Sequence, residues 1–491
     1  MNWYILTALE VSVILTTVHV LVVGGIAFRV VMQKPAIGVA LSWLVTVAVF
    51  PAFGAVLYLL VGERRVGQRR AMRIAERRAD NVWLATMGIH GRLREVDWSR
   101  HRREARAMHE VGMRLVGVPT VSGSTGELVS TAEEILRGIA ADVDGATCSV
   151  LMEFYIWHAG GLADVVVAAL ERAARRGVAC RVLVDAIGSR PWLKGDQPRR
   201  LRAAGVQVRA AFPAGLWHTL FARNDLRLHR KIVVIDDRIA WTGSMNLVDP
   251  CHFKQEANVG QWIDAMARIE GAAIAPLAMT VIGDWTLESD EAIEPIVQQA
   301  GLDVVEQQGN GDVQVIPSGP AESDDGLLQM LLTLIHSAHE ELVLTTPYFI
   351  PDESLMRALR GAAARGVEVH LIVPQKVDSI LAHYASRSYF EELMHVGVRV
   401  HLYHGGLLHT KSITVDRRLA MFGTVNLDMR SLWLNYEVSL FLYGESVAGP
   451  LRALQYKYML ECHVLDMAVW QRRPLWNKML ENVLRLASPL L

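Results

Sequence analysis

At 491 residues the chain is long enough for two or three domains, each able to bury a core of its own. Fifty Lys and Arg stand against 51 Asp and Glu, so there is no basic excess to meet the phosphates of a nucleic acid, and no nucleic-acid partner is expected. Cys148, Cys180, Cys251 and Cys462 are scattered without CxxC spacing, which argues for reduced thiols and against a zinc ribbon or disulfide framework.

Mean hydropathy is +0.22, and the apolar excess is concentrated at the N-terminus. Two long apolar runs occupy 11–28 and 36–62. Each is long enough to cross a hydrocarbon core of about 30 Å as a helix, the second with a bend expected at Pro51. A cleaved signal peptide fits poorly, because the chain ahead of the first run lacks Lys and Arg and a second run follows. Arg64, Arg65, Arg69, Arg70, Arg73, Arg77 and Arg78 open a basic juxtamembrane segment, 63–110. This charge places the following chain on the cytoplasmic side of a hairpin of two spans, and it also suits an anionic lipid surface.

From residue 111 the pattern alternates strand and helix, the mark of an α/β fold. Ala163 to Arg176 reads as a helix closed by Gly177, and Val178 to Val184 as a strand. The second half repeats this with Ser354 to Arg365, Gly366 and Val367 to Val373. Both glycines stand where a helix C-cap is expected. The halves span 111–285 and 313–470, joined by an acid-rich linker, 286–312. The stretch from Gly205 to His229 is twice as long as its counterpart from Gly397 to His409, so the first half carries an insertion within 206–228, centred on Phe212 to Arg223. That insertion is apolar enough to line an acyl-chain entrance, or to be an ordinary loop around Trp217. The last segment, 471–491, is amphipathic and suits either a bilayer interface or a packed surface helix.

The halves also repeat a polar pattern. In the first, His229-Arg-Lys231-Ile-Val-Val-Ile-Asp236 is followed by Gly243-Ser244-Met-Asn246; in the second, His409-Thr-Lys411-Ser-Ile-Thr-Val-Asp416 is followed by Gly423-Thr424-Val-Asn426, with every offset kept. The β-rich residues between Lys and Asp place each pattern on a strand, with His and Lys on one face. Asp236 and Asp416 have the opposite parity and lie at a turn, so their part in catalysis is expected to be indirect. Ser244 and Asn246, like Thr424 and Asn426, project together as candidate phosphate-binding or orienting groups, with Gly243 and Gly423 leaving room for a close ligand.

Two imidazoles, two ammonium groups, two hydroxyls and two amides suit a phosphodiester. One neutral imidazole attacks phosphorus, a protonated one donates to the departing alkoxide, and the lysines stabilise the phosphoryl oxygens. No metal or cofactor is required. Glu256 follows His229 at nearly the same offset as Glu437 follows His409, so each is a candidate to hold a catalytic imidazole in one tautomer. A metal site built from His401, His404 and His409 lacks a carboxylate at helical spacing and is not expected.

At these motifs the chain resembles the phospholipase D superfamily, and within it the bacterial cardiolipin synthases. The resemblance extends to two N-terminal apolar runs, Tyr155-Ile-Trp-His-Ala-Gly-Gly-Leu-Ala-Asp164, Gly260-Gln-Trp-Ile-Asp264, Gly423-Thr-Val-Asn-Leu-Asp-Met-Arg-Ser-Leu-Trp433 and the closing Ser488-Pro-Leu-Leu491. It implies two phospholipase D-like repeats packed as a pseudo-twofold pair, preceded by two transmembrane helices, in a bacterial inner membrane. It implies a catalytic set of His229, Lys231, Asp236, His409, Lys411 and Asp416, with His229 the nucleophile by analogy. The implied reaction joins two phosphatidylglycerol molecules into cardiolipin and glycerol through a phosphohistidine. Two other readings stay open: an enzyme of the same superfamily with another acceptor, and a silent membrane scaffold, which would require a damaged motif. Oligomeric state and acyl preference are left open.

Overall fold

The computed structural model describes residues 2–33, 37–62, 72, 74, 94–213, 225–289, 291–301, 307–320, 322 and 325–486. They fall into two compact bodies, residues 1–68 with 214–225, and residues 69–213 with 226–491.

In the smaller body Asn2–Gln33 is one helix, of which Ser12–Gln33 is long and apolar enough to cross a membrane. The second apolar run is not a single helix. Ile37–Val49 ends at Phe50, whose φ of −126° and ψ of 71° leave the helical region, and Pro51 begins a new helix, Pro51–Leu57, that passes into a π turn at Tyr58–Gly62. Proline is at home in a first helical turn and breaks the hydrogen-bond ladder of a helix it would continue, so the expected bend is present as a full break. A Cβ on Gly54 would lie 2.8 Å from the Thr46 carbonyl oxygen, which shows how tightly the chain folds back. Ile26, Val30, Val47 and Tyr58 pack the interior of this body. The arginine-rich stretch 64–78 and the bulk of the insertion, 214–224, lie outside the described residues, apart from positions 72 and 74.

The larger body holds twenty strands among its described residues, sixteen in one sheet shared by both halves and four in two separate two-stranded sheets. The first half supplies β1 (Thr120–Val129), β2 (Ser149–Phe154), β3 (Ala179–Asp185), β4 (Gln207–Ala211), β5 (Arg227–Leu228), β6 (Lys231–Ile235), β7 (Ile239–Gly243), β8 (Trp262–Ile263) and β9 (Met266–Gly271). The second supplies β10 (Gly311–Ser318), β11 (Glu341–Thr345), β12 (Phe349–Ile350), β13 (Glu368–Pro374), β14 (Arg399–Tyr403), β15 (Leu407–Leu408), β16 (Ser412–Val415), β17 (Leu419–Gly423), β18 (Leu427–Asp428), β19 (Asn435–Tyr443) and β20 (Cys462–Val464). The order β20-β14-β13-β11-β16-β17-β19-β10-β1-β9-β7-β6-β2-β3-β4 reads as a palindrome about the antiparallel pair β10–β1, with β20 as the unmatched edge. Equivalent ladders share their sense: β2–β3 and β11–β13 are parallel, whereas β6–β7 and β16–β17 are antiparallel.

Helices cover both faces. Val150, Met152 and Val182 point toward Ile135, Ile139, Val166 and Leu170 of helices Ala132–Asp144 and Ala163–Arg175. By the two-residue period, Leu151 and Glu153 face the other way, where Ile274–Glu288 packs on β2 and β6. The second half repeats the arrangement with Gly326–His336 and Glu353–Ala364 on one side and Glu445–Leu460 on the other. The expected C-caps are present: Gly177 and Gly366 take φ of 92° and 88°, and Val178 and Val367 donate back to Ala173 and Ala362.

Two boundaries differ from the sequence reading. Helix Arg103–Leu115 sends Ala105 and Met108 into the core of the second half, beside Ile316 and Leu331, so the chain from Arg103 already belongs to the larger body. Within the expected linker, 286–312, the described residues include a helix, Ile293–Ala300, anchored through buried Ile296 and Ala300 and preceded by a Glu291–Arg181 ion pair.

Candidate active site

Each half lends a short strand to the other just before its motif. β5 pairs in parallel with β19, matching Leu228 with Tyr436, and β15 pairs in parallel with β8, matching Leu408 with Ile263. The His229 amide then donates to the Tyr436 carbonyl, and the His409 amide to the Ile263 carbonyl, both at 2.8 Å. His229 therefore lies outside β6, which begins at Lys231, and His409 and Lys411 both lie ahead of β16, with each histidine held on the opposite half.

This crossing decides which carboxylate meets which imidazole. His229 Nδ1 lies 2.8 Å from Glu437 of the second half, and His409 Nδ1 lies 2.7 Å from Asp264 of the first. Ser244 donates to the same Asp264 oxygen at 2.6 Å, and Thr424 to the same Glu437 oxygen at 2.6 Å. With Nδ1–H committed to a carboxylate, each ring presents Nε2 as its basic nitrogen. Lys231 and Lys411 each reach back to the carbonyl of their own motif histidine. Aromatic rings cover both imidazoles, with Tyr155 centred 4.9 Å from His229 and Trp262 centred 4.4 Å from His409.

Several expected roles are corrected by this geometry. Glu256 is exposed on a short 3₁₀ turn, Gln255–Ala257, and Asp264 occupies the place assigned to it. Of the two roles left open for Ser244 and Thr424, phosphate-binding or orienting, the geometry fits the orienting one, since each donates to the carboxylate that holds an imidazole. Gly243 and Gly423 make room for backbone, not for a ligand: a Cβ there would collide with the Ala265 or Val438 carbonyl oxygen. Those same carbonyls accept from the amides of Ser244 and Thr424. Asn246 is buried and accepts from the Ile156 amide, and Asn426 is buried in the equivalent position.

Asp236 and Asp416 lie at the far ends of β6 and β16, in left-handed turns with φ of 51° and 49°. Asp236 accepts from the amides of Thr147, Cys148 and Ser149, and Asp416 from those of His339, Glu340 and Glu341. They tie each motif strand to the start of its neighbour, β2 or β11. The three histidines weighed as a metal site do not converge: His401 meets His370, His404 meets Gln375 and His409 meets Asp264.

Electrostatics join the half-sites. Burial lowers His229 and His409 to about 4 despite their carboxylates, and each also feels the lysine of the other half. Burial lowers Lys231 to about 8 and Lys411 well below its usual range. Burial opposes charge on Asp264 and Glu437 too, but the adjacent histidines, lysines and hydroxyls outweigh it and hold both carboxyls below the ordinary range.

The halves differ beneath the motif strands. Buried Arg230 donates to Asp284, Glu322 and the Glu437 carbonyl, beside Glu153, whose carboxyl is pushed well up by burial and by the Asp284 charge. Its counterpart Thr410 meets the Tyr458 hydroxyl in a neutral setting with Gln455 and Thr414.

A family profile described as "Cardiolipin synthase, PLD-like domain" matches residues 140–265 and 331–455. The first match encloses His229, Lys231 and Asp264, and the second His409, Lys411 and Glu437. The chain belongs to this family. Within it, the chain is 41% identical over 472 residues to cardiolipin synthase A of Serratia proteamaculans, covering 96% of each. It is 40% identical over 474 residues to cardiolipin synthase A of Pectobacterium carotovorum, again covering 96% of each. Among solved structures, phosphatidylserine synthase from Haemophilus influenzae aligns with a TM-score of 0.55 at 16% identity, over 78% of this chain and 100% of that one, a likeness of fold.

Proposed function

We infer that the chain is a cardiolipin synthase that moves a phosphatidyl group from one phosphatidylglycerol to another. The observation that carries this reading is the cross-paired centre: two imidazoles, each with Nδ1 held by a carboxylate of the opposite half, between two buried lysines.

In this reading His229 Nε2 attacks phosphorus of the first lipid, forming the N–P bond, while His409 gives its proton to the departing glycerol oxygen. His409 then takes the proton from the primary hydroxyl of a second phosphatidylglycerol. That oxygen bonds to phosphorus and displaces His229, so the products are cardiolipin and glycerol. Lys231 and Lys411 stabilise the phosphoryl oxygens, and Asp264 and Glu437 stabilise the imidazolium that forms on each side. One primary-alcohol ester replaces another, so exclusion of water decides between transfer and hydrolysis. Asp236 and Asp416 act through the strands they fix. The apolar N-terminal helix supports membrane attachment; the finer reading is a bacterial inner-membrane protein with two crossings, the second bent, and its catalytic body on the cytoplasmic side.

The test is reconstitution in vesicles with headgroup-labelled phosphatidylglycerol as the only reactive lipid. Cardiolipin and free glycerol in equal amounts are expected, with a trapped phosphatidyl adduct mapping to His229. Production of phosphatidic acid alone would refute the transferase reading while leaving the family assignment intact.

A further inference from the structure

The C-terminal helix Leu475–Arg485 is mounted inside out. Leu475, Met479 and Val483 recur at every fourth position, joined by Trp476 and Leu486, and these five side chains are 83%, 53%, 52%, 65% and 81% exposed. The opposite face is docked through charge. Glu481 is 2% exposed and receives Arg387 at 2.9 Å and Arg473 at 2.8 Å. Lys478 and Arg485 add ion pairs to Glu391 and Glu392 of helix Ile380–His395, and the Arg485 guanidinium lies 4.3 Å over the Tyr389 ring.

An amphipathic helix on a water-facing protein turns its apolar stripe inward. Here the ion pairs fix the rotation that puts the stripe outward, and turning it inward would carry Glu481 out to solvent and leave Arg387 and largely buried Arg473 without their carboxylate. The stripe is also part of a larger concentration: among the described residues between 94 and 486, most of the exposed large hydrophobics fall between Val464 and Leu486.

We propose that this helix lies in the headgroup region of a phospholipid leaflet, its apolar stripe among the upper acyl chains. A lipid leaflet suits the stripe better than a protein partner on three counts. Trp476 favours the boundary between acyl chain and headgroup. Exposed Arg472 comes just before the helix in the chain, a cation of the kind that meets phosphate groups beside an interfacial helix. The same chain carries Ser12–Gln33, a helix apolar enough to span that leaflet. The helix would hold the catalytic body against the surface from which its substrate is drawn. The proposal goes beyond the transferase reading, and its test needs no turnover.

The full chain, with exposed Cys148 and Cys251 replaced by serine, is labelled at Met479→Cys or Val483→Cys with a polarity-sensitive fluorophore, and at Glu133→Cys as a control on a distant exposed helix. Each is reconstituted in phosphatidylcholine and phosphatidylserine vesicles with or without brominated acyl chains. The expected result is a blue shift at 479 and 483 with loss of emission in brominated lipid, and neither at 133. A Leu475→Cys label in a Met479→Glu, Val483→Glu background should lose that quenching. A water-like spectrum at 479 and 483 would overturn the proposal. So would a blue shift without bromine quenching, which would mean that protein covers the stripe.

Discussion

Asp264 and Glu437 each accept an Nδ1–H and a hydroxyl, so both are oriented on two sides before substrate arrives. Removing the charge while keeping the shape tests that role. Asp264→Asn or Glu437→Gln is expected to lower kcat by about 10²–10⁴-fold, as for carboxylates that fix a catalytic tautomer, with a smaller change in KM. Exposed Glu256→Gln should leave kcat within about twofold of the parent. Steady-state kinetics on phosphatidylglycerol vesicles separates the cases.

The titrations carry signs. Both imidazoles lie at about 4 in the empty site, so His409 holds the proton it donates only once the negative charge of the bound phosphodiester raises it. Below about 4 His229 is protonated as well, and above about 8 Lys231 loses the charge that receives the phosphate. The kcat/KM profile should therefore fall on both sides, with the alkaline limb shifting in a Lys231→Arg variant; a profile flat to pH 10 would contradict this assignment. Stability follows the same groups. The histidines titrate near 6.5 when unfolded and about 4 when folded, so the unfolded chain binds more protons between those values. Their contribution is present above 6.5 and is lost as pH falls toward 4, which acid-denaturation midpoints on His229→Gln and His409→Gln variants would register.

At the scale of elements, the glycines at the ends of β7 and β17 matter most. Gly243→Ala would press a methyl group into the Ala265 carbonyl and force β7 away from β9. We expect a loss of about 1–3 kcal/mol in denaturant stability, together with reduced activity as Ser244 moves off Asp264. The same elements show what the sequence made legible. Helix, glycine cap and strand recur in both halves at the expected places, because local propensity and tertiary packing agree there. Glu437 was also found, since it follows its GxxN turn closely. Asp264 was not. Equal counting from the two histidines led instead to Glu256, because the first half spends extra residues between Asn246 and β8, and an equal offset lands on a surface turn. The usable signal was parity: Asp264 and Glu437 each directly precede the residue whose carbonyl holds the Ser244 or Thr424 amide. The glycines were located correctly but misread, since a strand pattern names the face and not the neighbour across it.

At the scale of the molecule, β10 pairs with β1 at the centre of the sheet and helix Arg103–Leu115 packs into the far half. A fragment ending at Ala300 would expose the whole edge of β1 and lose Tyr436 as the partner of β5. Expressed alone, it should aggregate or show no cooperative thermal transition, and mixing with the complementary fragment should be needed for any activity. The membrane reading belongs to this scale as well, because hydropathy located both apolar runs and Pro51 marked a bend, while backbone geometry turned that bend into a full break at Phe50.

The crossing of β5 and β15 makes the chemistry a gauge of assembly. Neither histidine keeps its orienting carboxylate unless the other half is docked, so the centre has no half-built state with half the turnover. During gradual denaturation, catalysis should vanish at or before the point where the halves part, even while each still holds its own helices and strands.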